Sequence, residues 1–121
     1  MKQIDKKGKI GFQAAFKGIV FTGEGTNFKI MGFIGVVALI VSAILNLSNI
    51  EWCLIILCIT MVLTAEGINT AIELICDYVN PDYDSKIGRI KDIAAGAVLI
   101  GSIGAAIIGT LIFGPYLAQL L

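Results

Sequence analysis

Three carboxylates and an amide lie at the end of an otherwise apolar segment, and they are the residues best able to do chemistry. Glu66, Asn69, Glu73 and Asp77 follow one another at intervals that place all four on one face of a helix. A charge in the centre of a bilayer costs roughly 2.5–3.5 kcal/mol on insertion scales, so such residues usually face a bundle interior, a water-filled site or a bound ion. We call these four residues the polar stripe. The alternative is that they only hydrogen-bond neighbouring helices and hold a bundle together.

Composition indicates the environment of this stripe. Of the 121 residues, 57% are hydrophobic and 15% are charged, and the mean hydropathy is +0.90. This balance is typical of a membrane protein. The net charge is zero, which gives no reason to expect a nucleic-acid partner. Histidine is absent, which excludes Ser-His-Asp catalysis and the commonest zinc ligand.

The apolar runs predict an all-α membrane protein with an amphipathic surface helix and three transmembrane helices. The first run is long enough to cross the hydrocarbon, and Asn80-Pro81 ends the second because proline disfavours the helical conformation of its predecessor. The expected segments are the surface helix with its entry loop (1–29), the first span (30–47), the second span with the stripe (50–79), a loop (80–90) and the third span (91–114).

The surface helix is predicted from lysines interleaved with apolar residues, among which Phe12, Phe16 and Ile19 share one helical face. All nine Lys and Arg residues precede the first span, lie between the second and third, or open the third. By the positive-inside rule, the N-terminus and the 80–90 loop are cytoplasmic and the C-terminus is outside. The stripe then meets the cytoplasm, where ATP and Mg²⁺ are available.

Lys91 and Asp92 open the third span on the same side of the membrane as the stripe. They supply a cation and a further acid that could converge with it. The alternative is a lysine that snorkels to the interface and an aspartate that favours a helix start.

The spacing of these residues resembles the signature of the small prokaryotic diacylglycerol/undecaprenol kinase family of integral membrane enzymes. The first matching block comprises Glu66, Asn69, Thr70, Ala71, Ile72, Glu73 and Asp77. The second matching block runs from Lys91 to Leu99. The resemblance covers nearly the whole chain.

The resemblance implies a homotrimer in the bacterial cell membrane that transfers the γ-phosphoryl group of ATP to the hydroxyl of a membrane lipid. It implies that Glu66 is the general base and that Glu66 and Asn69 contact the lipid substrate. It implies that Glu73 binds Mg²⁺, and that Glu73, Lys91 and Asp92 contact the nucleotide.

The chain departs from the family pattern at Glu24. The family has a second metal-binding glutamate three residues before a phenylalanine, whereas Glu24 lies four residues before Phe28. Glu24 is expected to bind the metal if the glycines on either side of it allow the backbone to readjust.

The Ile50-Glu51-Trp52 entry to the second span resembles that of Gram-positive members of the family. This resemblance favours undecaprenol as the acceptor, and diacylglycerol is the alternative. No P-loop and no protein-kinase motif set occurs, so an ATP site must be built from helix ends. Two functions of other classes remain open on the pattern alone. One is a small ion or proton channel, and the other is an assembly subunit that holds a partner helix through the stripe.

Overall fold

The computed structural model describes residues 8–121, which form four helices and no strand. The helices are α1 (Gly8–Gly23), α2 (Thr26–Leu45), α3 (Asn49–Val79) and α4 (Ser85–Leu120). The last three are long and apolar enough to cross a membrane, with mean hydropathies of 2.4, 1.8 and 2.2 in their most apolar windows. The prediction of an all-α membrane protein is therefore confirmed.

The helix α1 covers the second part of the expected surface helix. Its Phe12, Phe16 and Ile19 side chains are exposed in the single chain, as a face that contacts lipid would be. Lys2, Lys6 and Lys7, on which the amphipathic interpretation also rested, lie outside the described residues.

A two-residue joint separates α1 from α2. The Glu24 N–H donates to the Phe21 carbonyl and the Gly25 N–H to the Thr22 carbonyl, so α1 ends in a tight turn. Gly25 adopts an extended conformation (φ −71°, ψ 141°) and precedes the first residue of α2. The chain thus changes direction at Glu24.

The turn between α2 and α3 is fixed by capping at both ends. Asn46 takes a left-handed conformation (φ 54°), and the Leu47 N–H donates to the Ser42 carbonyl. Ser48 and Glu51 form a capping box, in which each side chain accepts a hydrogen bond from the other residue's backbone N–H. The two helices are therefore held as a tight antiparallel hairpin.

The helix α4 is longer than the predicted third span at both ends. It begins at Ser85 because the Asp84 carboxylate accepts hydrogen bonds from the Lys86 and Ile87 N–H groups. Much of the expected 80–90 loop is therefore helical. The helix also continues through Pro115 to Leu120, since a proline removes one backbone donor without ending every helix.

The helices α3 and α4 form the most extensive packing contact of the chain. They run antiparallel, and polar contacts join them near both ends. Near the Asn80 loop the Lys91 ammonium pairs with Asp77, and near the other end the Tyr116 hydroxyl donates to Glu51 Oε1 at 2.6 Å. We call the end of the bundle that contains the Lys91–Asp77 pair the acidic end. The buried apolar core of Leu47, Ile55 and Ile112 lies toward the opposite end.

The Tyr116–Glu51 hydrogen bond is expected to stabilise the hairpin of α3 and α4. Replacing Tyr116 by phenylalanine removes the hydroxyl and keeps the ring, so we expect a loss of about 0.5–2 kcal/mol in the free energy of unfolding. The measurement is denaturant titration of the purified protein in mixed micelles. Tyr78→Phe is the matched control, because Tyr78 is 92% exposed. Equal stability of the two variants would contradict the prediction.

Candidate functional site

The polar stripe occupies the last turns of α3, where it changes from buried to exposed. Glu66 and Asn69 are each only 5% exposed, whereas Glu73 is exposed. A carboxylate and an amide are thus enclosed by the bundle, and a second carboxylate about 10 Å further along the helix faces outward. The stripe therefore joins an enclosed polar position to an open one.

Asn69 is held in one orientation by its neighbour on the helix. Its Nδ2 donates to Glu73 Oε1 at 3.0 Å. Its Oδ1 is buried and, within residues 8–121, accepts no hydrogen bond. A buried acceptor without a partner costs free energy, so this oxygen is suited to a ligand that carries a donor.

Thr70 is part of the family signature, but its hydroxyl makes a hydrogen bond within α3. It donates to the Glu66 carbonyl at 3.0 Å, the usual bond of a threonine in an apolar helix. The free polar atoms of this segment are therefore those of the carboxylates and of Asn69.

Lys91 is brought to the stripe by Asp77. Their ion pair links α4 to α3, with Lys91 partly buried and Asp77 more open to solvent. Asp92 is exposed, and among the described residues it forms no ion pair. The structure thus pairs Lys91 with Asp77 and not with the neighbouring Asp92.

The sequence placed Asp77 on the stripe without naming its partner. Asp77 lies two residues before the end of α3, whereas Lys91 lies six residues after the start of α4, so their spacing from the turn gives no signal for the pair.

The end of α1 lies against α3 beside the stripe. A Cβ atom placed on Gly67 would lie 3.7 Å from Thr22 Cγ2, which is ordinary van der Waals contact. Gly67 follows Glu66 directly, and Glu24 is two residues beyond Thr22. The joint that carries Glu24 is therefore close to the buried start of the stripe, and Glu24 itself is exposed.

Among the described residues, no three acidic or cysteine side chains converge into a complete metal site. Mg²⁺ does not require one, since it is usually held by one or two carboxylates together with waters and substrate phosphates. Glu73 has one oxygen engaged by Asn69 and the other available, and the buried Asn69 Oδ1 is a further hard oxygen. The donor set of the stripe therefore fits Mg²⁺ bound together with a polyphosphate.

Three apolar helices with a partly enclosed acid–amide stripe at one end define a small membrane protein whose polar site borders the hydrocarbon. The family model described as "Prokaryotic diacylglycerol kinase" matches residues 13–113, which include every residue of the site. The chain belongs to this family of lipid kinases, and the resemblance seen in the sequence is confirmed.

The relatives of this chain include enzymes named undecaprenol kinase and enzymes named diacylglycerol kinase. An undecaprenol kinase from Bacillus subtilis (strain 168) is 36% identical over 110 residues, which cover 84% of this chain and 89% of that protein. A diacylglycerol kinase from Synechocystis is 32% identical over 114 residues, covering 93% of this chain and 65% of that protein. A diacylglycerol kinase from Escherichia coli (strain K12) is 32% identical over 80 residues, or 66% of each chain.

The contact of Thr22 with Gly67 predicts that side-chain size at position 67 controls the seating of α1. Gly67→Leu should push α1 away from α3, whereas Gly67→Ala should fit, because its Cβ meets only ordinary contacts. A looser joint between α1 and α2 unfolds locally more often, and local unfolding exposes its backbone to a protease. We expect a glutamate-specific protease to cleave after Glu24 several-fold faster in Gly67→Leu than in Gly67→Ala, as measured by mass spectrometry in detergent micelles. Cleavage at the same rate in both variants would show that α1 is not seated at Gly67.

Proposed function

We propose that this protein is an ATP-dependent lipid kinase that transfers the γ-phosphoryl group of ATP to the hydroxyl of undecaprenol at the acidic end of the bundle. The observation that carries the proposal is the enclosure of Glu66 and Asn69 at the border of an apolar bundle, one turn apart on α3. A lipid alcohol remains in the bilayer, so its hydroxyl can meet a base only at such a border.

Glu66 is the general base of the proposed reaction. The lipid hydroxyl oxygen forms a bond to the γ-phosphorus, the bond between that phosphorus and the β–γ bridging oxygen breaks, and ADP leaves. The hydroxyl proton passes to the Glu66 carboxylate. Asn69, one turn from Glu66, contacts the lipid near its hydroxyl, and its Nδ2 stays bound to Glu73. The position of Asn69 thus couples the lipid to the nucleotide side of the stripe.

The exposed part of the site binds the nucleotide. Glu73 and, from the neighbouring joint, Glu24 are the proposed carboxylate ligands of Mg²⁺. Mg²⁺ held there would neutralise part of the phosphate charge. Lys91 supplies a positive charge toward the phosphates while Asp77 holds its ammonium in place. Asp92 is exposed beside Lys91 and is proposed to contact the nucleotide.

The acceptor is assigned to undecaprenol on two grounds. The Bacillus subtilis relative named undecaprenol kinase is aligned over most of both chains, at 36% identity. The second ground is the Ile50-Glu51-Trp52 entry to the second span, which resembles that of Gram-positive members of the family. Diacylglycerol is the alternative acceptor, supported by the relatives that carry the name diacylglycerol kinase.

The proposed setting is the bacterial cell membrane, with the acidic end in the cytoplasm and the C-terminus outside. The cations at the start of α2 and α4 support this orientation, since they gather at the acidic end. These cations are Lys29, Lys86, Arg89 and Lys91. A homotrimer is also proposed because the family resemblance implies one, and the exposed large apolar side chains of the described residues leave surface that other copies could cover.

Removing the proposed base should abolish turnover while leaving the fold intact. For Glu66→Gln we expect a fall in kcat of about 10²–10⁴-fold with little change in the KM for lipid, because an amide cannot accept the hydroxyl proton. The measurement is transfer of label from [γ-³²P]ATP to undecaprenol, and in parallel to diacylglycerol, in mixed micelles. Glu51→Gln is the control, since it makes the same substitution at the opposite end of α3.

The acceptor that is phosphorylated faster by the wild-type protein identifies the substrate. A rate for Glu66→Gln within about threefold of wild type would remove Glu66 from the role of base. No labelled lipid with either acceptor in the wild-type protein would overturn the proposed function.

Glu73→Gln should weaken metal binding in particular. An amide is a weaker ligand for Mg²⁺ than a carboxylate, so we expect the Mg²⁺ concentration for half-maximal activity to rise about tenfold. The KM for the lipid should change little. The Mg²⁺ dependence is measured at saturating ATP and lipid. An unchanged Mg²⁺ dependence together with a raised lipid KM would instead place Glu73 on the lipid side of the site.

A further inference from the structure

An apolar groove of about 430 Å³ lies between α2, α3 and α4, on the side of the stripe away from the acidic end. Each helix contributes aliphatic side chains or small residues to its walls. Representative lining residues are Ile34 and Gly35 of α2, Ile59 and Val62 of α3, and Ser102 and Ala106 of α4. We call this space the central groove. It is open along part of its length, so a molecule in the bilayer can enter it from the side.

Ser102 gives the central groove a hydroxyl that the fold does not use. Its Oγ is buried and, within residues 8–121, makes no hydrogen bond. Four other hydroxyls of the spans instead donate to the carbonyl four residues earlier. Those hydroxyls are the ones of Ser42, Thr60, Thr70 and Thr110. In a site without water an unpaired hydroxyl is unfavourable, so the Ser102 hydroxyl is available to a ligand in the groove.

The pairing of α3 with α4 places Ser102 at the level of the proposed base. Asp77 meets Lys91 at the acidic end and Glu51 meets Tyr116 at the other, so the register between the helices is fixed along their length. In this register Ser102 lies opposite Ala65 and Glu66. Val62, which also lines the groove, is one turn before Glu66 on the same face of α3. The acidic end of the groove therefore adjoins the buried start of the stripe.

The dimensions of the central groove suit a long apolar chain. From Ser102 to Phe113, both of which line it, α4 extends about 16 Å. The hydroxyl stands at the end nearest Glu66, and the walls beyond it are apolar. A ligand that matches this pattern has one polar end and a hydrocarbon chain, and the acceptor of a lipid kinase has that form.

We propose that the central groove holds the part of the acceptor's apolar chain next to its polar end and that Ser102 Oγ hydrogen-bonds an oxygen of that polar end, beside Glu66. This inference rests on the proposed function and adds a substrate-binding residue to it. With undecaprenol the oxygen bound by Ser102 is that of the hydroxyl. With diacylglycerol an ester carbonyl is a second oxygen within reach of the same donor.

The test compares Ser102→Ala with the wild-type protein for both acceptors. We expect the KM for the lipid to rise about 5–20-fold, the effect of losing one buried hydrogen bond, while the KM for ATP changes little. Ser42→Ala is the matched control, because Ser42 is fully buried but its hydroxyl is satisfied within α2. Ser102→Thr, which restores a hydroxyl, should recover most of the affinity. An unchanged lipid KM in Ser102→Ala would overturn the inference and leave the proposed function standing.

Equilibrium binding separates the inference from the proposed function. Native mass spectrometry without ATP should show weaker retention of the lipid alcohol in Ser102→Ala than in Ser42→Ala, whether or not the wild-type protein phosphorylates it. Equal retention by the two variants would overturn the inference.

A second variant tests the groove itself. Ala106→Phe places a ring in the central groove, so we expect it to raise the KM for long-chain acceptors more than for short-chain analogues. If a helix of a second copy occupies the groove instead, Ala106→Phe should reduce the oligomer mass in detergent and leave the dependence on chain length unchanged. That result would contradict the proposed occupant.

Discussion

The fixed register between α3 and α4 is the constraint on which the remaining structure depends. It is set by polar contacts near the two ends, Asp77 with Lys91 and Glu51 with Tyr116. Each contact joins one side chain of α3 to one of α4, so together they hold the two helices at one relative position. Sliding α4 along α3 by one turn would break both contacts at once. The register therefore decides which residues of α4 stand beside Glu66.

The burial of Glu66 and Asn69 follows from the same packing. The end of α1 rests on Gly67 and α4 packs along α3, so the start of the stripe is enclosed while Glu73 stays open. A single helix can thus present one polar surface to the hydrocarbon border and another to water. A kinase that transfers a phosphoryl group from a soluble nucleotide to a lipid needs both surfaces within a short distance.

Much of this arrangement could be predicted from the sequence. The apolar runs indicate three spans, and Asn80-Pro81 predicts an end of α3 that agrees with Val79. The bounds of α4 were predicted less well. Its start depends on capping by Asp84, and its continuation past Pro115 accompanies a tertiary hydrogen bond from Tyr116, which local sequence rules do not include.

The site was predicted in part for a similar reason. Periodicity along one helix gathers Glu66, Asn69 and Glu73, because their relation is local. The pairing of Lys91 with Asp77, the seating of Thr22 on Gly67 and the unpaired hydroxyl of Ser102 all depend on contacts between helices. Such contacts are set by packing angles and registers that a single sequence does not contain.

The short turn after α2 limits how the three spans can separate. With only Asn46, Leu47 and Ser48 between α2 and α3, these helices are hinged together at that end of the bundle. Any separation of α2 from α3 that keeps this turn intact would pivot near Asn46 and open toward Ile30 and Met31, which line the central groove.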